Sequence, residues 1–146
     1  MLPDFGRGST DAADLLAAFR GRKRWQNGAV KAELVAFGQL EIEGKRYSRD
    51  VVIDGGEIRK RDKGPSKALQ GRARHTPLFA AEQIPWGGKR LIIGTGAKGQ
   101  LPIAADVGEE AHRRGIVIEA VPTREACLLL ADVDPVDVYA ILHVTC

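Results

Sequence analysis

The residues best placed to do chemistry form a glycine-rich turn, Gly94-Thr95-Gly96-Ala97-Lys98-Gly99, directly after the apolar run Leu91-Ile92-Ile93. A strand that ends in such a turn can direct unhindered backbone N–H groups at an anion. The lysine in the turn adds a positive charge. We therefore predict a binding site for a small anionic ligand at Gly94, Thr95, Gly96, Lys98 and Gly99.

Two other interpretations of this turn stay open. The spacing Gly94-x-Gly96-x-x-Gly99 matches the dinucleotide-binding fingerprint, and Glu119 follows about twenty residues later, where an acid can hold a ribose hydroxyl. Pro102 argues against a dinucleotide because it opposes a helix running through the third glycine. The glycines can also serve only a tight turn and close packing. We predict no cofactor.

A nucleophile is the second kind of chemistry that the sequence suggests, at Ser66, Lys67 and His75. A lysine or a histidine can activate a serine hydroxyl. Adjacent side chains do not usually face each other, however, and no third group is evident that would orient them. An enzyme acting on an anionic substrate with these residues is therefore an alternative hypothesis, and the sequence favours a protein without enzymatic activity.

A basic segment carries the third hypothesis, which is weak nucleic-acid binding. Between positions 59 and 74 the cations are opposed only by Asp62, and they are Arg59, Lys60, Arg61, Lys63, Lys67, Arg72 and Arg74. Such a segment can contact phosphates with a steep salt dependence. It lacks interleaved aromatic residues, which disfavours stacking on single-stranded bases. Nucleic acid is therefore an unlikely partner in this interpretation.

Composition bounds the class of protein. The chain has 146 residues, of which 44% are hydrophobic, and a formal net charge of +3, which is typical of one ordinary globular domain. Cys127 and Cys146 form no CxxC pair, which favours a reducing cytoplasm. His143-x-x-Cys146 predicts no metal site, because residues three apart on a strand point to opposite faces. No run approaches the ~18 apolar residues of a membrane span, so we expect a soluble, cytoplasmic protein.

Residues 1–33 are predicted to be an extension with a short helix over Asp11–Arg20, and residues 34–146 one α/β domain. The elements of that domain, which must position the residues above, fall into two halves. Within that domain, residues 34–61 alternate between apolar and polar and contain turn signals, which predicts an antiparallel β-meander. Residues 62–76 lack periodicity and are predicted to form a long loop. A short helix is predicted from Thr76 to Gln83, because proline follows a capping threonine.

The second half is predicted to be βαβαβ, with its strands in one sheet. Its apolar runs, caps and Gly115 predict strands over Leu91–Ile93, Ile116–Ile118 and Val136–Val144, and helices over Ala104–Arg114 and Thr123–Ala131.

Several segments of the domain, in this order, resemble a known family of small domains. They are Phe37-Gly38-Gln39-Leu40-Glu41-Ile42-Glu43-Gly44, Tyr47-Ser48-Arg49-Asp50-Val51, Ser66-Lys67 to His75-Thr76-Pro77-Leu78, Ile92-Ile93-Gly94-Thr95-Gly96 and Leu142-His143-Val144-Thr145-Cys146. The family includes the adipogenesis-associated protein and the mitochondrial respiratory complex I assembly factor.

The resemblance covers roughly residues 34–146. It implies a three-layer α/β sandwich with a mixed central sheet, no established catalytic residues, and protein partners rather than chemistry. Together with the residues above, it predicts a binding domain for a protein partner or a small anion near the Gly94–Gly99 turn.

Overall fold

The computed structural model describes residues 30–71 and 76–146. The helix predicted over Asp11–Arg20 therefore lies outside the described residues, as do Arg72, Arg74 and His75. Val30 is fully buried and the first strand begins at Ala32, so the predicted domain boundary at residue 34 falls within that strand. In the two described ranges, no helix is long and apolar enough to cross a lipid bilayer.

Eight strands in the described residues form two sheets. A small antiparallel sheet contains β1 (Ala32–Ala36), β2 (Gln39–Ile42) and β3 (Lys45–Tyr47). A five-stranded mixed sheet has the order β5-β4-β8-β6-β7, with β4 (Val51–Asp54), β5 (Glu57–Lys60), β6 (Arg90–Gly94), β7 (Val117–Val121) and β8 (Tyr139–Leu142). The helices are α1 (Gly64–Leu69), α2 (Ala105–Arg114) and α3 (Thr123–Leu130).

Three layers follow from the alternation of side chains along the central sheet. On β4, Val51 and Ile53 enter a core formed with α3 and the small sheet, whereas Val52 enters a second core formed with α2. On β8, Leu142 and Ile141 divide between the same two cores. The predicted α/β sandwich with a mixed central sheet is therefore confirmed.

The predicted βαβαβ half is also confirmed, with β6 parallel to both β7 and β8. Gly115 ends α2 in the left-handed region with φ of 70°, as the sequence predicted. The antiparallel meander divides between the two sheets, because β3 does not pair with β4. Asp50 lies in this break, where its side chain accepts a hydrogen bond from the Val144 backbone N–H at 3.0 Å.

Two local predictions between the halves are wrong. The predicted loop over residues 62–76 contains α1, which the pattern missed because Ser66 is the helix's buried residue and gives no apolar periodicity. The helix predicted from Thr76 to Gln83 is absent in the described residues. Leu78 instead pairs with the segment after the glycine turn: its N–H donates to Pro102 O and its carbonyl accepts from Ala104 N, both at 2.9 Å.

The final strand is shorter than predicted. Pro135–Asp137 form a 3₁₀ turn, and β8 follows it. Asp134 caps this turn by accepting a hydrogen bond from Val136 N at 3.2 Å, and the proline fixes the backbone in a helical conformation. These local interactions outweigh the strand propensity of Val136.

Candidate functional site

The backbone donors of the glycine turn are occupied within the protein. The N–H groups donate to neighbouring elements or within the turn at 2.8–3.2 Å: Thr95 to Val121 O, Gly96 to Thr123 Oγ1, Ala97 to Thr145 O, Lys98 to Cys146 O and Gly99 to Gly96 O. A ligand at this turn would have to displace protein acceptors. The anion site predicted at Gly94, Thr95, Gly96, Lys98 and Gly99 stays a prediction.

Two glycines of the turn have a packing role. A Cβ on Gly96 would lie 2.1 Å from the Thr145 carbonyl oxygen, and the residue has φ of +109°. A Cβ on Gly94 would lie 2.8 Å from Thr123 Oγ1. Since β-carbons do not approach other atoms so closely, these glycines allow the segment after β8 and the start of α3 to contact the turn.

A buried ionic cluster lies on the other side of that segment. The Arg61 guanidinium donates to both oxygens of Glu82, at 2.8 and 2.7 Å, and to Asp50 Oδ2 at 2.9 Å. Ser66 Oγ hydrogen-bonds Glu82, and His143 Nδ1 lies 2.7 Å from Asp50 Oδ2. We call these five residues the Arg61 cluster, and all of them are buried.

The electrostatics of the cluster keep Asp50 ionised. Burial raises the pKa of Asp50, but the hydrogen bond and charge of His143, the Val144 N–H and the charge of Lys63 together lower it to about 2. Burial likewise lowers the pKa of the Arg61 guanidinium, and the two carboxylates more than compensate, so that this pKa is raised. Two negative charges surround one buried positive charge, and the three groups carry one net negative charge.

His143 connects the cluster to Thr145. Because Asp50 is ionised and acts only as an acceptor, the proton of a neutral imidazole lies on Nδ1 and is donated to Asp50. Nε2 then remains as the acceptor, and the Thr145 hydroxyl lies 3.3 Å from it. The three groups form a chain from a buried carboxylate to a half-buried hydroxyl.

An open cleft of about 620 Å³ lies over Asp50, Arg61 and Thr145. We call it the basic cleft, and its remaining lining residues are Ser48, Arg49, Lys60, Asp62, Lys63, Gly64, Lys67 and Val144. Lys63 Nζ is 3.6 Å from Asp50 Oδ2 at the edge of the Arg61 cluster. The other three lining lysines and arginines outside the cluster are exposed and, among the described residues, form no ion pair with a carboxylate.

The structure separates the predicted nucleophile residues. The Ser66 hydroxyl is fully buried, donates to Glu82 and accepts from the Phe79 N–H at 3.1 Å, so it does not face the cleft. Lys67 is exposed and lines the cleft. His75 lies outside the described residues. An enzyme using Ser66, Lys67 or His75 stays a prediction, and the fixed Ser66 hydroxyl offers no open path to a substrate.

The residues of the predicted basic segment lie in three different environments. Arg61 is buried in its cluster, and Arg59 donates to the Gln83 carbonyl at 2.6 Å. Lys60, Lys63 and Lys67 line the basic cleft. The predicted nucleic-acid contacts at Arg59, Arg61, Arg72 and Arg74 stay a prediction, since the last two lie outside the described residues and Arg61 is inaccessible.

Sequence patterns missed four members of the site. Asp50 directly precedes the apolar run of β4, and a charged residue at such a position signals a buried partner. His143 and Thr145 alternate with apolar Leu142 and Val144, which marks one polar strand face. Glu82 gave no signal, because it was assigned to a helix that does not form.

No protein-family model matches the chain, and no curated protein matches it. Solved structures do. One is the conserved hypothetical protein PH1505 from Pyrococcus horikoshii OT3, with 30% sequence identity and a TM-score of 0.60 over 80% of this chain and 99% of that one. The chain belongs to the PH1505 family.

Two further structures share the fold of the PH1505 family. MT938 is 21% identical, with a TM-score of 0.58 over 81% of this chain and 100% of that one. A Mth938-like domain from Bordetella pertussis, solved by solution NMR, is 15% identical, with a TM-score of 0.51 over 84% of this chain and 90% of that one. At these identities the likeness shows the fold alone. It fits the small-domain family that the sequence segments resemble.

Proposed function

We propose that this PH1505-family domain binds a small anionic ligand in the basic cleft. The observation that carries the proposal is the set of exposed cations, Arg49, Lys60 and Lys67, which lack carboxylate partners in the described residues around one concave site. Cations that line one concave site attract an anion together and raise its local concentration there. The cleft volume of about 620 Å³ suits a small organic ligand.

The buried floor of the cleft supports the same proposal. Arg61 is held by two carboxylates, so its position does not depend on a ligand. A rigid floor lowers the entropy lost when a ligand is ordered on it. The segment after β8 separates the cleft from the glycine turn, since Thr145 lines the cleft while its carbonyl accepts from Ala97 N. The proposed site therefore adjoins the glycine turn, where the sequence predicts an anion site.

The finer resemblance, to the adipogenesis-associated protein and the complex I assembly factor, supports a role with protein partners, in the cytoplasmic setting that the cysteine usage favours. In that setting the same cations would accept an acidic segment of a partner protein. Exposed charges mainly accelerate such encounters and make them sensitive to salt. We rank this alternative second, because the concave shape of the cleft favours a small ligand.

The test is an NMR titration of the chain with phosphate, sulfate and succinate. We expect saturable shifts at the amides of Gly64 and Thr145, and about a tenfold weaker affinity when Arg49 and Lys67 both become alanine, because each removes a charged partner. Lys89→Ala is the matched control, since Lys89 is exposed and does not line the cleft. Shifts at Gly94–Gly99 alone would favour the turn instead, and no shift at either place would reject the proposal.

A further inference from the structure

The geometry of Thr145, His143 and Asp50 suits nucleophilic catalysis. The hydroxyl lies 3.3 Å from His143 Nε2, and His143 Nδ1 lies 2.7 Å from Asp50 Oδ2. A nucleophile, a base and a group that orients the base occur here in the order that activates a hydroxyl. The distance from hydroxyl to imidazole is slightly long, as is usual before a substrate is bound.

The charges of the cluster allow His143 to accept a proton. If Arg61 faced Asp50 alone, its positive charge would oppose an imidazolium beside it. Glu82 supplies a second carboxylate, which accepts two hydrogen bonds from the guanidinium. One net negative charge therefore remains next to the imidazole. Lys63 approaches Asp50 from the cleft at 3.6 Å with a partly exposed side chain, so solvent screens its opposing effect.

Access to this chain of groups is one-sided. His143 is 5% exposed and does not line the basic cleft, whereas Thr145 is half-buried and lines it. A ligand in the cleft can therefore reach the hydroxyl but not the base behind it. Lys63 and Lys67 line the same cleft and supply positive charge for an oxyanion that forms there.

We propose that Thr145 is the catalytic nucleophile of an esterase site, with His143 as its base, for esters of anionic carboxylic acids held in the basic cleft. Thr145 Oγ1 attacks the carbonyl carbon while its proton passes to His143 Nε2. The alcohol then leaves with that proton, and an acyl-threonine remains. A water molecule gives its proton to His143 and attacks the acyl group, which releases the carboxylic acid and restores the Thr145 hydroxyl.

This inference rests on the proposed ligand site, so binding and turnover are measured separately. The substrate is the p-nitrophenyl monoester of succinic acid, and succinate alone is the binding probe. We expect release of p-nitrophenolate by the full chain with an initial burst, and a succinyl group on Thr145 by peptide mass spectrometry. Neutral p-nitrophenyl acetate should react more slowly, because it lacks the charge that the cleft attracts.

Variants separate catalysis from structure. Thr145→Val keeps the side-chain shape, and we expect it to lose at least about 100-fold in turnover while binding succinate as before. Thr145→Ser keeps the hydroxyl and should retain activity, and His143→Gln should lose it. Asp50→Asn tests a positioning residue and should shift the pH profile of turnover. Lys89→Ala lies outside the site and should match the unchanged chain.

Three results would overturn the assignment. The first is normal turnover by Thr145→Val, and the second is acylation of Cys146, whose sulfur lies 3.9 Å from the Thr145 hydroxyl. The third is saturable succinate binding at the cleft without any ester turnover, which would reject the nucleophile but keep the proposed ligand site. Absence of succinate binding would reject the ligand site as well.

Discussion

At the scale of single residues, Arg61 is the centre of the molecule's polar interior. Its planar guanidinium donates two hydrogen bonds to the carboxylate of Glu82 and one to the carboxylate of Asp50. Such a fork fits arginine and not lysine. Burial of these charges is unfavourable by itself, so the value of the cluster lies in fixing β4, α1 and the segment around Glu82 in one arrangement.

Removal of Arg61 should strongly destabilise the fold. Arg61→Met leaves two buried carboxylates without their shared cation, and we expect a loss of about 3–5 kcal/mol in the free energy of unfolding, measured with urea. Arg46→Met is the matched control, because Arg46 and Glu41 form an exposed pair with side chains 64% and 37% exposed. It should change stability by less than about 1 kcal/mol. Equal effects of the two variants would contradict the structural role of the cluster.

Asp50 predicts how stability depends on pH. Its pKa is about 2 in the folded chain, against about 3.9 for an unfolded aspartate. The folded state therefore binds the proton less readily, so the stabilisation is complete above about pH 5 and disappears as the pH falls toward 2. We expect this group to account for about 2–3 kcal/mol of acid destabilisation.

Urea unfolding of the chain and of Asp50→Asn at several pH values measures that contribution. The variant starts less stable at neutral pH, and its stability should fall less steeply between pH values of about 4 and 2. Parallel curves for the two proteins would show that Asp50 does not titrate differently in the folded state.

At the scale of elements, the glycine turn and the segment after β8 behave as one unit. Thr123 at the start of α3 joins them, because its hydroxyl accepts from Gly96 N and donates to the His143 carbonyl at 2.6 Å. The same segment holds His143 and Thr145 over the basic cleft. The geometry of the turn therefore determines the position of the candidate catalytic groups.

Gly96→Ala should disrupt this unit. The new Cβ would meet the Thr145 carbonyl oxygen at 2.1 Å, and alanine disfavours φ of +109°. We expect a loss of more than about 2 kcal/mol, with NMR shifts at Lys98 and Thr145. Gly108→Ala is the control, because Gly108 lies inside α2 with open space around it and should stabilise the helix by up to about 1 kcal/mol. A neutral Gly96→Ala would mean that the turn tolerates displacement.

Elements governed by local signals could be predicted, and those governed by distant partners could not. The run Leu91-Ile92-Ile93 and the stop at Gly115 each carry their own signal, and the structure agrees with both. Leu78 looked helical because of its neighbours, but its backbone pairs with Pro102 and Ala104. The Arg61 cluster could not be predicted for the same reason, because its partners are distant in sequence: Arg61 bonds Glu82 21 positions away, and Asp50 bonds His143 93 positions away.

At the scale of the whole molecule, the central sheet separates two apolar cores. Cys127 lies in the core between α3 and the small sheet, 4% exposed, where burial raises the pKa of its thiol to about 11. A reagent that needs the thiolate therefore reacts slowly with this residue in the folded chain, and faster when the layers separate. Cys127 therefore reports on opening of the molecule, whereas half-buried Cys146 is accessible in the folded state.

Alkylation with iodoacetamide at pH 8, followed by mass spectrometry of the peptides, tests this picture. Only about one Cys127 in a thousand is ionised at that pH, in addition to its burial. We expect slow labelling of Cys127 in the native chain and fast labelling of Cys146. In urea the labelling of Cys127 should rise along the unfolding curve. Fast native labelling of both residues would contradict a closed core.

During synthesis, the central sheet cannot form until β8 has been made. This strand joins β4 to β6 at the centre of the sheet, yet it is made after both of them. A ribosome that has passed only Asp134 holds two sheet halves with β4 and β6 as open apolar edges, which are targets for chaperones and for aggregation. The hydrogen bond from Val144 to Asp50 then closes a loop of 94 positions. Nascent chains therefore acquire the sheet and the basic cleft together, in one late step.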